Sequence, residues 1–124
     1  MAKVNLLPSG NYEGDKLSRT IQDALDTGAA LARLGFGYGA IRDLYSISRQ
    51  LHRLDERACN GYHDERDERR DESRERNLMA KVHAMMSGTS IPAGTWAYHQ
   101  SDPRGCALYI CPPEVKDYSH GVAV

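Results

Sequence analysis

The sequence predicts an α+β fold in which three helices precede a C-terminal antiparallel β-hairpin. Apolar residues recur at helical spacing over much of residues 15–86, and two runs of strand-forming residues flank an Asp-Pro-Arg-Gly turn at 102–105. Stretches containing glycine and proline separate these segments. With 124 residues, of which 40% are hydrophobic, the chain can bury one core, so a single domain over 1–124 is expected.

The first helix is predicted over 15–33, after an N-terminal arm at 1–14. Proline and glycine mark the arm, in which 4–7 is a candidate for an edge strand. Asp15 has a side chain suited to cap the first free N–H groups of the helix. The apolar face of this helix consists of Leu17, Ile21, Ala24 and Leu25.

The second helix, predicted over 40–58, has the clearest pattern in the chain. The alternating glycines at 35–39 that precede it lack the G-x-G-x-x-G spacing of a dinucleotide site, so they predict a flexible helix–helix connection. Asn60 and Gly61 are expected to end the helix, because glycine readily adopts the left-handed conformation. Its apolar residues, at three- and four-residue spacing, are Leu44, Ile47, Leu51, Leu54 and Ala58.

The third helix is predicted over 64–86 and begins with a charged run, HDERDERRDESRER, at 63–76. Acidic and basic residues in this run are spaced to form four ion pairs on a helix, each stabilising it by about 0.2–0.5 kcal/mol. The pairs are Glu65 with Arg69, Glu72 with Arg76, Asp67 with Arg70, and Asp71 with Arg74. The apolar residues that follow keep the same period, so we interpret the segment as one helix with a solvated first half rather than a nucleic-acid tail.

Residues 96–111 predict the β-hairpin, and two registers fit its turn. A two-residue loop pairs Tyr98 with Tyr109, and it mixes polar and apolar residues on both faces. A three-residue loop pairs Tyr98 with Ile110 and separates the faces more cleanly, so we predict this register. The side packed on the helices then carries Trp96, Tyr98, Cys106, Leu108 and Ile110. Two prolines at 112–113 end the second strand, and 118–124 is a candidate for a short third strand.

The Asp-Pro-Arg-Gly stretch at the hairpin tip has two compatible interpretations. Its residue types at the first, second and fourth positions are those of a type I turn. Gly105 then has a positive φ, and Gly105→Val is expected to destabilise the domain. The second interpretation is a functional tip, in which Asp102 caps the turn and Arg104 projects toward a partner.

The best candidate for recognition is the outer face of the second helix. Its basic residues, spaced seven, four and four apart, are Arg42, Arg49, Arg53 and Arg57, with His52 beside them. Guanidinium groups bind phosphate and carboxylate bidentately, so this stripe suits a nucleic acid or an acidic protein surface. A solvated face with no partner is the alternative, because Asp43, Asp55 and Glu56 partly neutralise the stripe.

No metal site, catalytic site or cofactor is predicted. Cys59 with His63 resembles half a zinc site, but Gly61 breaks the helix that would align them. Cys106 and Cys111 would lie about 16 Å apart on opposite faces of a strand, which excludes both shared zinc ligation and a disulfide.

Composition limits the classes of function. The net charge of -1 disfavours both a strongly basic nucleic-acid coat and an acidic DNA mimic. No apolar run approaches the ~20 residues of a membrane span, and no secretory signal is expected at the N-terminus. Three cysteines, an odd number, argue against a disulfide framework, so a reducing cytoplasm is the expected compartment.

Two blocks of the sequence carry a resemblance. LDERACNGYHDE at 54–65 and HQSDPRGCALYI at 99–110 resemble an E-R-x-C-N-G block and a Q-x-D-P-R-G-x-x-L-Y block of small proteins encoded by bacteriophages, prophages and plasmids. The matches cover roughly a fifth of the chain, and its charged run departs from the middle part of those proteins. The resemblance implies a gene context, phage infection or plasmid carriage, rather than a mechanism.

Three functions remain as hypotheses. The first is a non-enzymatic phage or mobile-element protein that binds a host protein or nucleoprotein complex, for example to inhibit a defence system such as CRISPR-Cas. The second is an accessory nucleic-acid-binding protein of phage replication. The third and least favoured is a small enzyme that uses His99, Asp102 and Tyr109. The oligomeric state does not follow from the sequence.

Overall fold

The computed structural model describes residues 12–62, 64–88, 90–101 and 106–124. Three helices precede a three-stranded antiparallel sheet of order β1-β2-β3, so the predicted α+β fold is confirmed. The elements are α1 (Tyr12–Leu34), α2 (Tyr38–Asn60), α3 (Glu65–Met86), β1 (Trp96–His99), β2 (Leu108–Cys111), a short 3-10 helix (Tyr118–His120) and β3 (Val122–Ala123). The predicted edge strand at 4–7 lies outside the described residues.

The helix bounds follow the sequence signals closely for α2 and α3. Gly61 has a φ of 84° and its N–H bonds the Ala58 carbonyl, which ends α2 as predicted. The Asp64 side chain accepts a hydrogen bond from the Asp67 N–H at 3.0 Å and caps α3. The prediction that Asp15 caps α1 is wrong, because α1 already begins at Tyr12. One glycine inside a 23-residue helix costs only about 1 kcal/mol, so Gly14 does not end it.

The connection between α1 and α2 is held against a distant loop. Gly35 has a φ of 110°, and Phe36 beside it is buried. The Ser90 hydroxyl donates a hydrogen bond to the Gly35 carbonyl at 3.1 Å. A side chain at Gly35 would meet the Ser90 carbonyl oxygen at 2.2 Å. This glycine is therefore required by close packing as well as by its backbone conformation.

The register of the hairpin differs from the predicted one. Tyr98 is paired with Tyr109, and His99 with Leu108, as in the two-residue-loop register. Every residue of β2 is buried, because the strand is central in the sheet and covered on both sides. The criterion of one apolar and one polar face therefore did not apply to it. The expected positive φ of Gly105 falls outside the described residues.

The two faces of the sheet have different partners. Leu108 and Ile110 join the core formed with the helices, and Ala97 packs against it. The prediction that Trp96 and Tyr98 pack on the helices is wrong, since the observed register places them on the opposite side. There Tyr98 stacks on Tyr118 with 4.7 Å between ring centroids. The Trp96 indole N–H donates to the Val115 carbonyl at 3.0 Å.

The C-terminal segment returns as the third strand and completes the core. β3 pairs with β2 through Tyr109 opposite Ala123 and Ile110 opposite Val122. A third strand is thus confirmed, but it is shorter than 118–124 and follows the 3-10 helix. The largest fully buried side chains are Leu31, Leu44, Leu51, Val82, Leu108, Ile110 and Cys111. The core therefore sits between the helices and one face of the sheet.

The charged run forms only part of its predicted ion-pair pattern. The pairs Glu65 with Arg69, at 3.4 Å, and Asp67 with Arg70, at 2.9 Å, are present as predicted. The predicted pairs of Asp71 with Arg74 and Glu72 with Arg76 are not seen among the described residues. Arg74 donates instead to Gln50, Arg76 to Ser73, and Asp71 accepts from Arg57.

Candidate functional site

The arginine stripe of α2 divides into two parts in the structure. Arg42, Arg49 and Arg53 are exposed on the side of α2 away from the core. None of them forms an ion pair with another described residue. These three side chains therefore have guanidinium groups available to bind an external anion.

Arg57, the fourth member of the predicted stripe, is engaged within the protein. Its Nε and Nη2 atoms donate to the two Asp71 carboxylate oxygens at 2.9 and 2.7 Å. The Asp71 side chain is only 6% exposed, whereas that of Arg57 is 56% exposed. Hydrogen bonds from Arg57 lower the pKa of Asp71, and the same contact raises the pKa of Arg57. Arg57 thus joins α2 to α3 rather than completing the stripe.

The Arg57–Asp71 bridge gives a prediction for acid stability. The folded-state pKa of Asp71 is below its unfolded value of about 4, so its contribution to stability is present above that value and lost as the pH falls through the folded pKa. An Asp71→Asn variant should unfold at lower urea concentration than the native protein near neutral pH, and the difference should shrink below about pH 4. Urea titrations across this pH range measure the loss of stability near neutral pH and its decrease in acid. Asp23→Asn is the control, because Asp23 is exposed. A difference that stays constant with pH contradicts the assignment.

His52 is also tied to its own helix. Its Nε2 lies 2.9 Å from the Glu56 carboxylate one turn away. Its Nδ1 atom is enclosed and has no hydrogen-bond partner among the residues described. His52 is therefore partly buried beside the stripe, whereas Arg42, Arg49 and Arg53 are exposed.

A cleft of about 470 Å³ lies beside the stripe, between α1, α2 and the C-terminal segment. Arg42 and Arg49 form its basic side, while Ala24, Tyr45 and Val124 contribute apolar surface. Ser48 and Cys106 complete the lining. We call this feature the α2 cleft.

Hydrogen bonds fix the walls of the α2 cleft. The Tyr45 hydroxyl donates to the Ala24 carbonyl at 2.8 Å, and burial raises the pKa of Tyr45, which keeps the phenol neutral. The Ser48 hydroxyl is buried, donates to the Val124 main-chain oxygen at 2.6 Å and accepts from the Ala107 N–H at 3.4 Å. Ser48 thus joins α2 to the residue that precedes β2 and to the residue that follows β3, so these hydrogen bonds hold the wall of the cleft in place.

The hairpin tip is outside the part of the chain that the structure describes. The predicted binding residues Asp102 and Arg104 both fall there. Cys106, the next described residue after the tip, lines the α2 cleft.

His99 occupies a charged cluster that the sequence analysis missed. Its Nδ1 lies 2.8 Å from Glu75 on α3, and its Nε2 lies 3.0 Å from Asp55 on α2. The side chains of His99 and Asp55 are only 14% and 16% exposed. Each ring nitrogen of His99 therefore faces a carboxylate, one on each of these two helices. The cluster therefore joins β1 to α2 and α3.

This position removes the predicted grouping of His99 with Tyr109. The two residues lie on opposite faces of the sheet, because His99 opposes Leu108 in the observed register. Both nitrogens of His99 already face carboxylates, so the ring is occupied by structural contacts. Two of the three residues considered for an enzyme, His99 and Tyr109, are therefore apart, and the third, Asp102, is outside the described residues.

A second grouping of serine, histidine and aspartate occurs at the 3-10 helix. Ser119 and His120 both hydrogen-bond the same oxygen of Asp117, and these contacts lower the pKa of Asp117. The His120 and Asp117 side chains are 77% and 58% exposed. A catalytic triad needs the histidine between the other two side chains, so this arrangement is the cap of a short helix.

No protein-family model, curated protein or solved structure matches this chain. Among the described helices, none combines the length and apolar character needed to cross a membrane. Residues 12–62, 64–88, 90–101 and 106–124 contain no group of three or more histidine, cysteine, aspartate or glutamate side chains placed to hold a metal ion. His63 of the considered zinc site is outside these ranges.

Proposed function

We propose that this chain is a non-enzymatic protein of a bacteriophage or mobile genetic element that binds and modulates a host macromolecule through the α2 cleft. In this proposal, binding of the host macromolecule inhibits a bacterial defence system such as CRISPR-Cas. The expected compartment is the cytoplasm of the bacterial host. The gene context rests on the two sequence blocks at 54–65 and 99–110.

The observation that carries the proposal is the composition of the α2 cleft. Arg42 and Arg49 stand at an apolar surface formed by Ala24, Tyr45 and Val124. Arginine and tyrosine are enriched among the residues that contribute most to protein–protein binding, and such residues act best in a partly desolvated pocket. An acidic protein segment with an apolar side chain would satisfy both the guanidinium groups and the apolar surface.

Accessory nucleic-acid binding in phage replication is the second candidate for this surface. Arg53 favours nucleic-acid binding, because this residue extends the exposed row of Arg42 and Arg49 by one helical turn beyond the cleft. Phosphate binding at the row would weaken steeply with salt, whereas a protein contact with an apolar centre would weaken far less. Salt dependence therefore separates the two candidates.

The experiment is an affinity pull-down from host lysate with and without nuclease, with the captured material identified by mass spectrometry. The proposal predicts one host protein complex that stays bound at stoichiometric amounts after nuclease treatment and about 200 mM salt. Capture of mainly nucleic acid, lost at that salt concentration, would favour the second candidate and contradict the first.

A further inference from the structure

A second basic surface lies on the other side of α2, in a groove of about 680 Å³ toward α3. We call it the α2–α3 groove. Its polar lining is Arg57 from α2 and, from α3, Arg70, Asp71, Ser73, Arg74, Asn77 and Lys81. It shares no lining residue with the α2 cleft. The two surfaces are therefore separate on the molecule.

The cations of α3 form a row along this groove although the charged run alternates in sequence. Arg70, Arg74 and Lys81 are four and seven residues apart, which places them on one edge of the helix. At 1.5 Å per residue the row is about 16 Å long. Glu65, Glu68 and Glu72 share a different edge, since their spacings are three and four residues. The separation of charge is partial, because Arg69 and Arg76 lie near the glutamate edge and Asp67 lies beside Arg70.

The two carboxylates nearest the groove each form an ion pair with an arginine of the protein. Asp71 is held by Arg57, and Asp67 by Arg70. Arg57 uses two N–H groups in its bridge, so other N–H donors of its guanidinium remain. Within the described part of the chain, the side chain of Arg74 donates to the neutral Gln50 side chain and Lys81 has no ion pair. Positive charge therefore remains in excess along the row.

We propose that the α2–α3 groove binds the phosphodiester backbone of a nucleic acid. Arginine, lysine, serine and asparagine are among the side chains that contact phosphates in protein–nucleic acid complexes, and the groove presents all four types. A row about 16 Å long fits a polymer of repeated charges better than a single small anion. With nucleic acid here and a protein at the α2 cleft, the chain would recognise a nucleoprotein complex, which goes beyond the proposed function.

The test measures fluorescence anisotropy of two labelled probes of about 20 nucleotides per strand, a mixed-sequence duplex DNA and a single-stranded RNA. If three phosphates are contacted, affinity should fall between about 50 and 200 mM salt by roughly 40-fold for the duplex DNA or by roughly 18-fold for the single-stranded RNA. In the Arg74→Ala/Lys81→Ala variant, this loss should shrink to roughly 3.5-fold for the duplex or roughly 2.6-fold for the single strand, because two phosphate contacts are removed. The two probes distinguish a DNA from an RNA backbone.

The control variant, Arg33→Ala/Lys116→Ala, removes two exposed cations that do not line the groove. It should keep the native salt dependence, and circular dichroism of both variants checks that they fold. Equal binding by all variants, or no binding of either probe at about 50 mM salt, overturns the proposal. Equally effective competition by poly-glutamate, compared per charge, also overturns it in favour of an acidic protein partner.

The same assay separates this proposal from the proposed function. Arg42→Ala/Arg49→Ala removes the basic side of the α2 cleft and leaves the groove residues in place. This variant should keep the salt dependence of nucleic-acid binding while losing the host protein in the pull-down. A groove variant that binds nucleic acid as the native protein does would contradict only the groove proposal. A cleft variant that retains the host protein would contradict only the proposed function.

Discussion

Replacement of Gly35 by alanine is expected to reduce the free energy of unfolding by about 3 kcal/mol. Gly35 has a φ of 110°, and a non-glycine residue held at a positive φ costs about 1–3 kcal/mol. The added Cβ would also lie 2.2 Å from the Ser90 carbonyl oxygen, which is backbone and cannot rotate away as a side chain would. Relief of this overlap requires the α1–α2 connection to move from the loop that contains Ser90.

Urea and thermal unfolding of the Gly35→Ala variant measure this effect, which corresponds to a fall of roughly 10 °C in Tm. The matched control is Gly39→Ala, because Gly39 lies in the first turn of α2 and its added Cβ would meet no atom within 4 Å. That change should stabilise the protein by about 0.5–1 kcal/mol. Equal effects of the two substitutions would contradict the packing of the connection described above.

Replacement of His99 by alanine is expected to lower the free energy of unfolding by about 2–3 kcal/mol. Removing one partner of a buried hydrogen bond costs about 1–3 kcal/mol, and more where the group that remains is charged, because that group is left unsatisfied. Asp55 is largely buried, but Glu75 is 46% exposed and can reach water, which reduces the cost. The loss should therefore come mainly from the contact with Asp55.

A double-mutant cycle of His99→Ala with Asp55→Ala tests this division. Direct contact predicts a coupling energy of about 1–3 kcal/mol. His120→Ala is the control, since that side chain is 77% exposed and pairs only near the 3-10 helix. Loss of function in His99→Ala without loss of stability would instead support the enzymatic hypothesis.

The three helices could be predicted because each shows an apolar stripe at helical spacing. In α2 the predicted residues from Leu44 to Leu54 are buried, but Ala58 at the end of the stripe is exposed. In α1, Ala24 and Leu25 of the predicted apolar face are exposed as well. The strand register could not be predicted in the same way. The register was inferred from the alternation of apolar and polar residues along the strands. This alternation identifies a register only where one face of a strand meets solvent. β2 is covered on both faces, so both registers place apolar residues acceptably.

The candidate sites were predictable only as far as local spacing reaches. Helical periodicity placed Arg42, Arg49 and Arg53 together on an exposed face. It did not show that Arg57 turns to Asp71, because that contact joins two helices. The His99 cluster had a usable signal. Asp55 and Glu75 fall within the apolar sectors of their helices, beside Leu54 and Leu78, where an acidic side chain usually indicates a buried cationic partner.

The most direct test of the account compares three forms of the protein in the nuclease-treated pull-down. They are the native protein, Arg42→Ala/Arg49→Ala and the control Arg33→Ala/Lys116→Ala. The account predicts that the native protein and the control retain the same host complex at equal stoichiometry, and that the cleft variant loses it while melting at the native temperature. Retention of that complex by a folded cleft variant would contradict the claim that the α2 cleft binds the host partner.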